Sequence, residues 1–467
     1  MTGARYGFSE AMHIQLGAQR FSRSPEARTI AAGAFADTIG CMFAGSTQSV
    51  EAAACRSLGI PQVAGRLVWP SFGVLPESAA LVNATAAHVL EFDDHEILGI
   101  THPSAVLVPA LLALAEGSER SGGDLLDAYV AGFETINCLG AALNPFHYAT
   151  GWHSTSTIAA LGTSVACSML IGNGPEQTVH AFGICCSVAG GTRAQFGSMT
   201  KPLHAGFAAH AAVRSALMAK AGITASPDAF DGRFGIAGLM TGGAEGAEPY
   251  QPDYTFPSIE EHGPIVKLYP SCAATHRTVD AIRDLMRSHG LGPEHVAEIA
   301  TEIPAVAASA LVTDYPVDEY EARFSMSYCA ATTIESGGLT LGDFTAEAVS
   351  RPATRRRADK VRLTSYATQG NPFASGNYRV VTTILTKSGD RLLDQRLHAR
   401  GSKEKPLSPE ERFEKFADCL ATIGGEAVAA TFFDTIAHMA VLKDTGALTK
   451  LLRNPAHDTI EGNRKPG

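Results

Sequence analysis

Charge is scarce in this chain of 467 residues: 18% are charged, against 45% hydrophobic. The little charge there is leans acidic, with a formal net charge of -10. Nucleic-acid recognition needs a basic face, so that class of partner is excluded. An anionic small molecule is not, because one basic pocket can coexist with an acidic exterior. Long apolar runs are missing too. The longest, Ala105 to Ala115, contains Pro109 and is too short to cross a bilayer, so no membrane partner is expected. The opening MTGARYGFSE has no basic-then-apolar pattern, which argues against a secretory signal. Nine cysteines are present without any C-x-x-C pair or zinc-like spacing. They read as buried small hydrophobes in a reduced, cytoplasmic protein. Dinucleotide-binding, phosphate-loop, nucleophile-elbow and H-E-x-x-H motifs are all absent, so no cofactor is expected.

What is present, above all, is helix. Ser24-Pro25-Glu26 carries a capping hydroxyl, a first-position proline and a first-turn acid. From there the pattern predicts helices to about Gly45, then over 78–90, 103–116, 123–142, 154–171, 175–188 and 206–221. Ala, Gly, Ser and Thr are spread over several faces of these segments, as in helices buried nearly all round. Residues 239–249 read as a loop. After Lys267 the texture changes. An amphipathic helix over 273–289 is followed by strands at 296–303, 361–365, 378–386 and 391–397, with a helix at 327–335 and a hairpin turn at 387–390. Ser408-Pro409-Glu410-Glu411 restarts helices through about Leu452, and 454–467 reads as a polar, frayed end. The expected fold is mostly α. A large all-α helical domain (1–267) carries a smaller α+β lid domain (268–400), and the C-terminal helices (401–467) return to the first domain. The run Arg355-Arg356-Arg357 reads as a solvated face.

One stretch stands out, Glu91 to Pro103, EFDDHEILGITHP. Four acids and two histidines fall within twelve residues between apolar segments. Titratable groups crowded this way shift one another's pKa values, which acid–base catalysis requires. Further polar residues sit in apolar surroundings: His153 at an expected helix start, Lys201 and His204 just before another, Lys267 and Cys272 before the 273–289 helix, and Tyr328 inside an apolar helix. Each alone has an ordinary structural explanation as cap, core or surface residue. As a set, lysines and helix N-termini suit a substrate with several carboxylates. Histidine, tyrosine and cysteine suit proton transfer beside one. The cluster His88, Asp93, Asp94 and His95 also admits a second reading, a metal-dependent hydrolase.

Seven segments together resemble the MmgE/PrpD family along nearly the whole chain. They are H-x-L-E-F-D-D (88–94), T-H-P-S (101–104), G-W-H-S-T (151–155), K-P-L-H-A-G (201–206), D-G-R-F-G (231–235), K-L-Y-P-S-C (267–272) and the Tyr328 segment. The resemblance implies a helical domain of N- and C-terminal parts, a lid, a homodimer, no cofactor and no metal, with the active site between the domains. It implies His102, His153, Lys267, Cys272 and Tyr328 as catalytic residues. Glu91, Asp93, Asp94, Lys201 and His204 would hold a small polycarboxylate. Two positions depart from the family pattern: His95 stands where Thr is usual, and Cys272 where the animal and fungal decarboxylases carry His. Among the reactions implied, epimerisation of an amino- or imino-dicarboxylate such as iminodisuccinate is the first expectation. A 2-methylcitrate dehydratase-like elimination is the second, and a cis-aconitate decarboxylase-like reaction the third.

Overall fold

The computed structural model describes residues 23–231, 233–243, 258–311, 315–368, 378–421 and 423–453. The chain is mostly helical, with one small mixed sheet. Its longer N-terminal helices are α1 (Pro25–Gly45), α2 (Ser49–Ser57), α3 (Pro76–His88), α4 (Pro103–Ala115), α5 (Gly122–Leu143), α6 (Ile158–Ile171), α7 (Pro175–Cys186) and α8 (Thr200–Lys220). Their starts follow local chemistry. Ser24 caps α1 ahead of Pro25, and Ser121 with Asp124 closes a capping box on α5.

Small residues set how close these helices come. A Cβ on Gly206 would lie 2.4 Å from Thr85 Oγ1 and 2.6 Å from the Leu81 carbonyl, so α8 rests directly on the backbone of α3. A Cβ on Gly162 would lie 2.4 Å from Ile136 Cγ1, which brings α6 equally near α5. Such contacts leave no room for a larger side chain and explain the Ala/Gly texture of the sequence.

Two helix starts differ from expectation. Helix α8 begins at Thr200, so Lys201 and His204 lie inside its first turns rather than ahead of it. Pro202 falls in the first turn, where its missing N–H leaves no bond unmade. Helix α6 begins only at Ile158. Residues 154–157 form turns instead, in which the Ser156 N–H donates to the His153 carbonyl at 2.9 Å and the Thr157 N–H to the Ser154 carbonyl at 3.2 Å, three residues back rather than four. Within the expected 239–249 loop, 239–240 end a short helix (Ile236–Met240), while 244–249 lie outside the described residues, as do the 454–467 tail and Gly232 of the D-G-R-F-G segment.

After residue 267 come α9 (Ala273–Ser288), β1 (Val296–Pro304), α10 (Met326–Ser336), β2 (Val361–Tyr366), β3 (Val380–Thr386) and β4 (Arg391–Arg396). The strand order is β2-β1-β3-β4, with β1 parallel to β2 and the other neighbours antiparallel. Ile282 and Leu285 of α9 pack with Val296, Ile299 and Ile384 of the sheet and Ile334 of α10. Helices α11 (Pro409–Leu420), α12 (Gly425–Ala437) and α13 (Gly446–Arg453) then pack back on the N-terminal helices, placing Phe416, Leu420, Phe432 and Leu452 in the same apolar core as Phe35, Ile39 and Leu107. We call this helical mass the body and residues 268–400 the cap. Helix α11 also reaches the loop after α3. Lys415, fully buried, pairs with Asp37 of α1 at 2.6 Å and donates to the Phe92 carbonyl at 2.7 Å.

Candidate active site

The loop from Val89 to His102 is the first wall of the site, and every acid in it is buried and spoken for. Glu91 adopts φ +51°, a left-handed conformation costly for a side chain of its size, and Ile100 adopts φ +53°. The surroundings enforce it. The Glu91 carboxylate accepts from Lys201 Nζ on one oxygen and from Lys267 Nζ at 3.2 Å on the other, and Lys267 also donates to the Glu91 carbonyl at 3.2 Å. Glu96 accepts backbone N–H bonds from Leu98 (2.8 Å) and Gly99 (3.0 Å) and the Thr101 hydroxyl (2.6 Å). Asp94 accepts from the Ser104 hydroxyl, and burial raises its carboxyl to about 7. A two-way backbone bridge between His95 and Ile265 (3.1 and 2.7 Å) fixes this loop to the segment that delivers Lys267.

Asp93 gathers the histidines. Its Oδ2 lies 2.7 Å from His88 Nδ1 and 3.3 Å from His102 Nδ1, and Lys267 Nζ stands 3.9 Å from Oδ1. Burial works against the Asp93 anion, but the two imidazoles and the Lys267 ammonium outweigh it and hold the group well below its ordinary value. His88 is pushed well down by burial, against the pull of Asp93. His102 Nδ1 also lies 2.8 Å from the Asp94 carbonyl. A carbonyl can only accept, so Nδ1 carries the proton and Nε2 of a neutral His102 keeps its lone pair. The Nδ1 atoms of His153 and His204 lie 2.9 Å apart, one ring donating to the other. Burial lowers both, His204 to about 4. The Lys201 ammonium is pushed well below its usual range by burial and then by Lys267. Burial likewise lowers Lys267, against the pull of Asp93. Lysines lowered this way exchange protons more readily than exposed ones.

The cap supplies the opposite wall. Cys272, half-buried, is the residue that precedes α9. Arg277, Tyr378 and the short 306–310 segment complete it. Between the walls lies a cleft of about 740 Å³, its mouth included. Glu91, His102, His153 and Lys201 face it from the body, and Cys272 and Arg277 from the cap. Lys267, Asp93 and His204 stand one layer back, each touching a residue of the cleft.

Three sequence expectations change. Tyr328 does not line the cleft: it is fully buried in the cap, and its hydroxyl donates to the Asp343 carbonyl. Its apolar neighbours Tyr269 and Phe344 make it a core aromatic. Asp94 turns toward Ser104 and does not face the cleft. The four-residue metal set does not converge either. His88 and Asp93 come together with His102 instead, their ligand atoms within 4.8 Å of one another. The Nδ1 atoms of both imidazoles are turned onto hydrogen bonds, and Lys267 already sets a positive charge beside Asp93, so the trio does not fit a cation well. Conversely, sequence reading passed over Arg277 and Tyr378 and gave Glu96 no role beyond its place among the four acids of 91–103; all three line the cleft. The signal for Arg277 was a guanidinium directly after K-L-Y-P-S-C-A-A-T-H, in the early turns of a buried helix.

Comparison with known proteins bears on this arrangement. Residues 17–248 match the MmgE/PrpD N-terminal domain, and residues 269–439 match the MmgE/PrpD C-terminal domain. The chain belongs to the MmgE/PrpD family. Among curated MmgE/PrpD relatives, cis-aconitate decarboxylase from Homo sapiens is 29% identical over 448 residues, covering 91% of this chain and 90% of the relative. The Mus musculus cis-aconitate decarboxylase is 28% identical, covering 83% and 81% of the two chains, and that of Aspergillus terreus is 24% identical, covering 87% and 85%. Among the described residues of this MmgE/PrpD chain, no helix is long and apolar enough to cross a membrane.

Proposed function

We propose that this MmgE/PrpD protein is an enzyme of small polycarboxylates that uses its own side chains to withdraw the proton from a carbon next to a carboxylate and return it to the other face. The substrate class is an amino- or imino-dicarboxylate, with iminodisuccinate as the type. The observation that carries this reading is the distribution of proton-bearing groups over two facing walls: His102, His153 and Lys201 on the body, Cys272 on the cap. A base on the body removes the α-proton, and His102 Nε2 has the free lone pair for it. The electron pair left on carbon spreads into the adjacent carboxylate as an enediolate, which the Lys201 and Lys267 ammoniums stabilise. The Cys272 thiol delivers a proton from the opposite side, and proton exchange with solvent resets the imidazolium and the thiolate. A positioned base contributes about 10²–10⁴ in rate, and the charge stabilisation a comparable amount.

Each stereoisomer of the substrate, incubated in heavy water, is expected to take up deuterium at the α-carbon and to interconvert with the other. Cys272→Ala is expected to keep exchange from one isomer and to lose interconversion. A second reading follows from the three relatives described above, which are named as cis-aconitate decarboxylases. The same lysines would stabilise the carbanion left by CO2. Release of CO2 from cis-aconitate without deuterium exchange in the dicarboxylate would favour it, and appearance of a new conjugated double bond would favour a dehydratase.

A further inference from the structure

The positive charges of the cleft differ in how far the protein itself neutralises them. Lys201 and Lys267 both hold the Glu91 carboxylate. Arg277 does not have that arrangement. It is buried, with 9% of its surface exposed, and it lines the cleft on the cap side. Its Nε donates to the Leu397 carbonyl at 2.8 Å, and its guanidinium carbon lies 4.3 Å above the centre of the Tyr378 ring. No carboxylate pairs with it among the described residues. Asp280 and Glu404 act on it only from a distance. Asp280 is occupied by the Tyr269 hydroxyl and the Arg400 N–H, and Glu404 pairs with His398. A buried guanidinium held by the Leu397 carbonyl and by Tyr378, through its ring and its hydroxyl, keeps donors to spare, and among the described residues it has no counter-charge. The Leu397 bond and the Tyr378 ring fix its plane, so the fork is oriented before any ligand arrives.

We propose that Arg277 is the specificity residue of the cleft, binding the substrate carboxylate remote from the reacting carbon. The lysine pair around Glu91 then serves the carboxylate at the reaction centre. This rests on the reading above that the cleft takes small polycarboxylates, but it does not depend on which reaction follows. It requires two carboxylates on the substrate, spaced to span from the body wall to the early turns of α9. Neutralising one of them should cost what a charge-assisted two-point contact contributes, roughly 10- to 100-fold in affinity.

Calorimetric titration with succinate and with its mono-amide succinamate tests this without any turnover. The wild-type protein should bind succinate 10- to 100-fold more tightly than succinamate. Arg277→Gln should lose that preference by weakening succinate while leaving succinamate alone. Arg277→Lys should recover only part of it, since a point charge replaces a fork. A wild-type protein that binds both ligands alike, or neither, overturns the proposal, and so does an Arg277→Gln variant that keeps the preference. Because Arg277 also ties Leu397 to Tyr378, a folding defect in the variants is bypassed by a measurement on the wild type. Phenylglyoxal modification of Arg277, mapped by peptide mass, should be slowed by succinate and not by succinamate; equal rates with either ligand overturn the proposal. Failure of deuterium wash-in, with the succinate preference intact, would remove the epimerase reading and leave Arg277 in place.

Discussion

The two walls of the cleft are built on opposite plans. On the body side nearly every titratable group already has a partner: Glu91 with two lysines, Asp93 with two histidines, Glu96 with three backbone N–H groups, His153 with His204. On the cap side Cys272 and Arg277 stand with no carboxylate paired to them among the described residues. A densely connected buried network is rigid, and rigidity suits groups that must meet a developing charge without reorganising. An unpaired cation is costly until a ligand arrives, and that suits selection. On the proposed reading, charge stabilisation and the proton-abstracting base fall to the body, and recognition falls mainly to the cap, with Cys272 as its proton donor.

The strongest way to break this contrast is Lys201→Met. It strips one cation from Glu91 and from the reaction centre, and kcat should fall about 10²–10⁴-fold in the wash-in assay. A fall of less than tenfold would move the chemistry off the body wall. Next is Lys415→Met, which leaves Asp37 as a buried unpaired acid and frees the Phe92 carbonyl. Stability in urea unfolding should drop by about 3–5 kcal/mol. A smaller loss would mean that the C-terminal helices do not brace the site loop.

A pH series sharpens the same point. His204 titrates at about 4 in the folded chain, lowered first by burial and then by Lys201. The unfolded chain binds that proton near pH 6.5. The stability His204 protects is therefore complete above pH 6.5 and is lost as pH falls toward 4. His204→Gln should flatten the slope of unfolding free energy in that window by up to one proton. Asp94, raised by burial to about 7, acts in the reverse sense: its contribution is complete at acid pH and declines between about 4 and 7. An unchanged slope in the variant would show that His204 is not held neutral. The smallest effect belongs to Tyr328→Phe, which removes one hydrogen bond to the Asp343 carbonyl. It should cost about 1 kcal/mol in stability and leave kcat unchanged; a large fall in kcat would return Tyr328 to the site.

Much of the fold was legible locally. Helix starts at Ser24-Pro25 and Ser408-Pro409, the amphipathic 273–288 helix and the 387–390 hairpin turn all carry their signals within a few residues. Where reading failed, a neighbour in the same short segment had intervened. Turns closed three residues back over 153–157 delayed α6, and Pro202 sat comfortably in a first turn and let α8 begin early. At the site, Glu91, His102, His153, Lys201 and Cys272 were visible as polar residues in apolar surroundings, and they do meet in one cleft. Tyr328 carried the same signal and turned out to be core, because an aromatic with one buried hydroxyl needs only one carbonyl nearby.

The amino-acid sequence by itself determined the helical character, the mixed segment after residue 267, the family and the chemical types available for catalysis. These depend on periodicity, caps and motifs, which are properties of neighbours along the chain. Tertiary structure alone decided which of those groups face one another. It turned Asp94 toward Ser104, drew His88, Asp93 and His102 into one network, and set Arg277 across from Lys201 with no counter-charge among the described residues. The reason is distance along the chain: Glu91 meets Lys201 and Lys267 across 110 and 176 residues, and no local pattern encodes a contact that only packing can close.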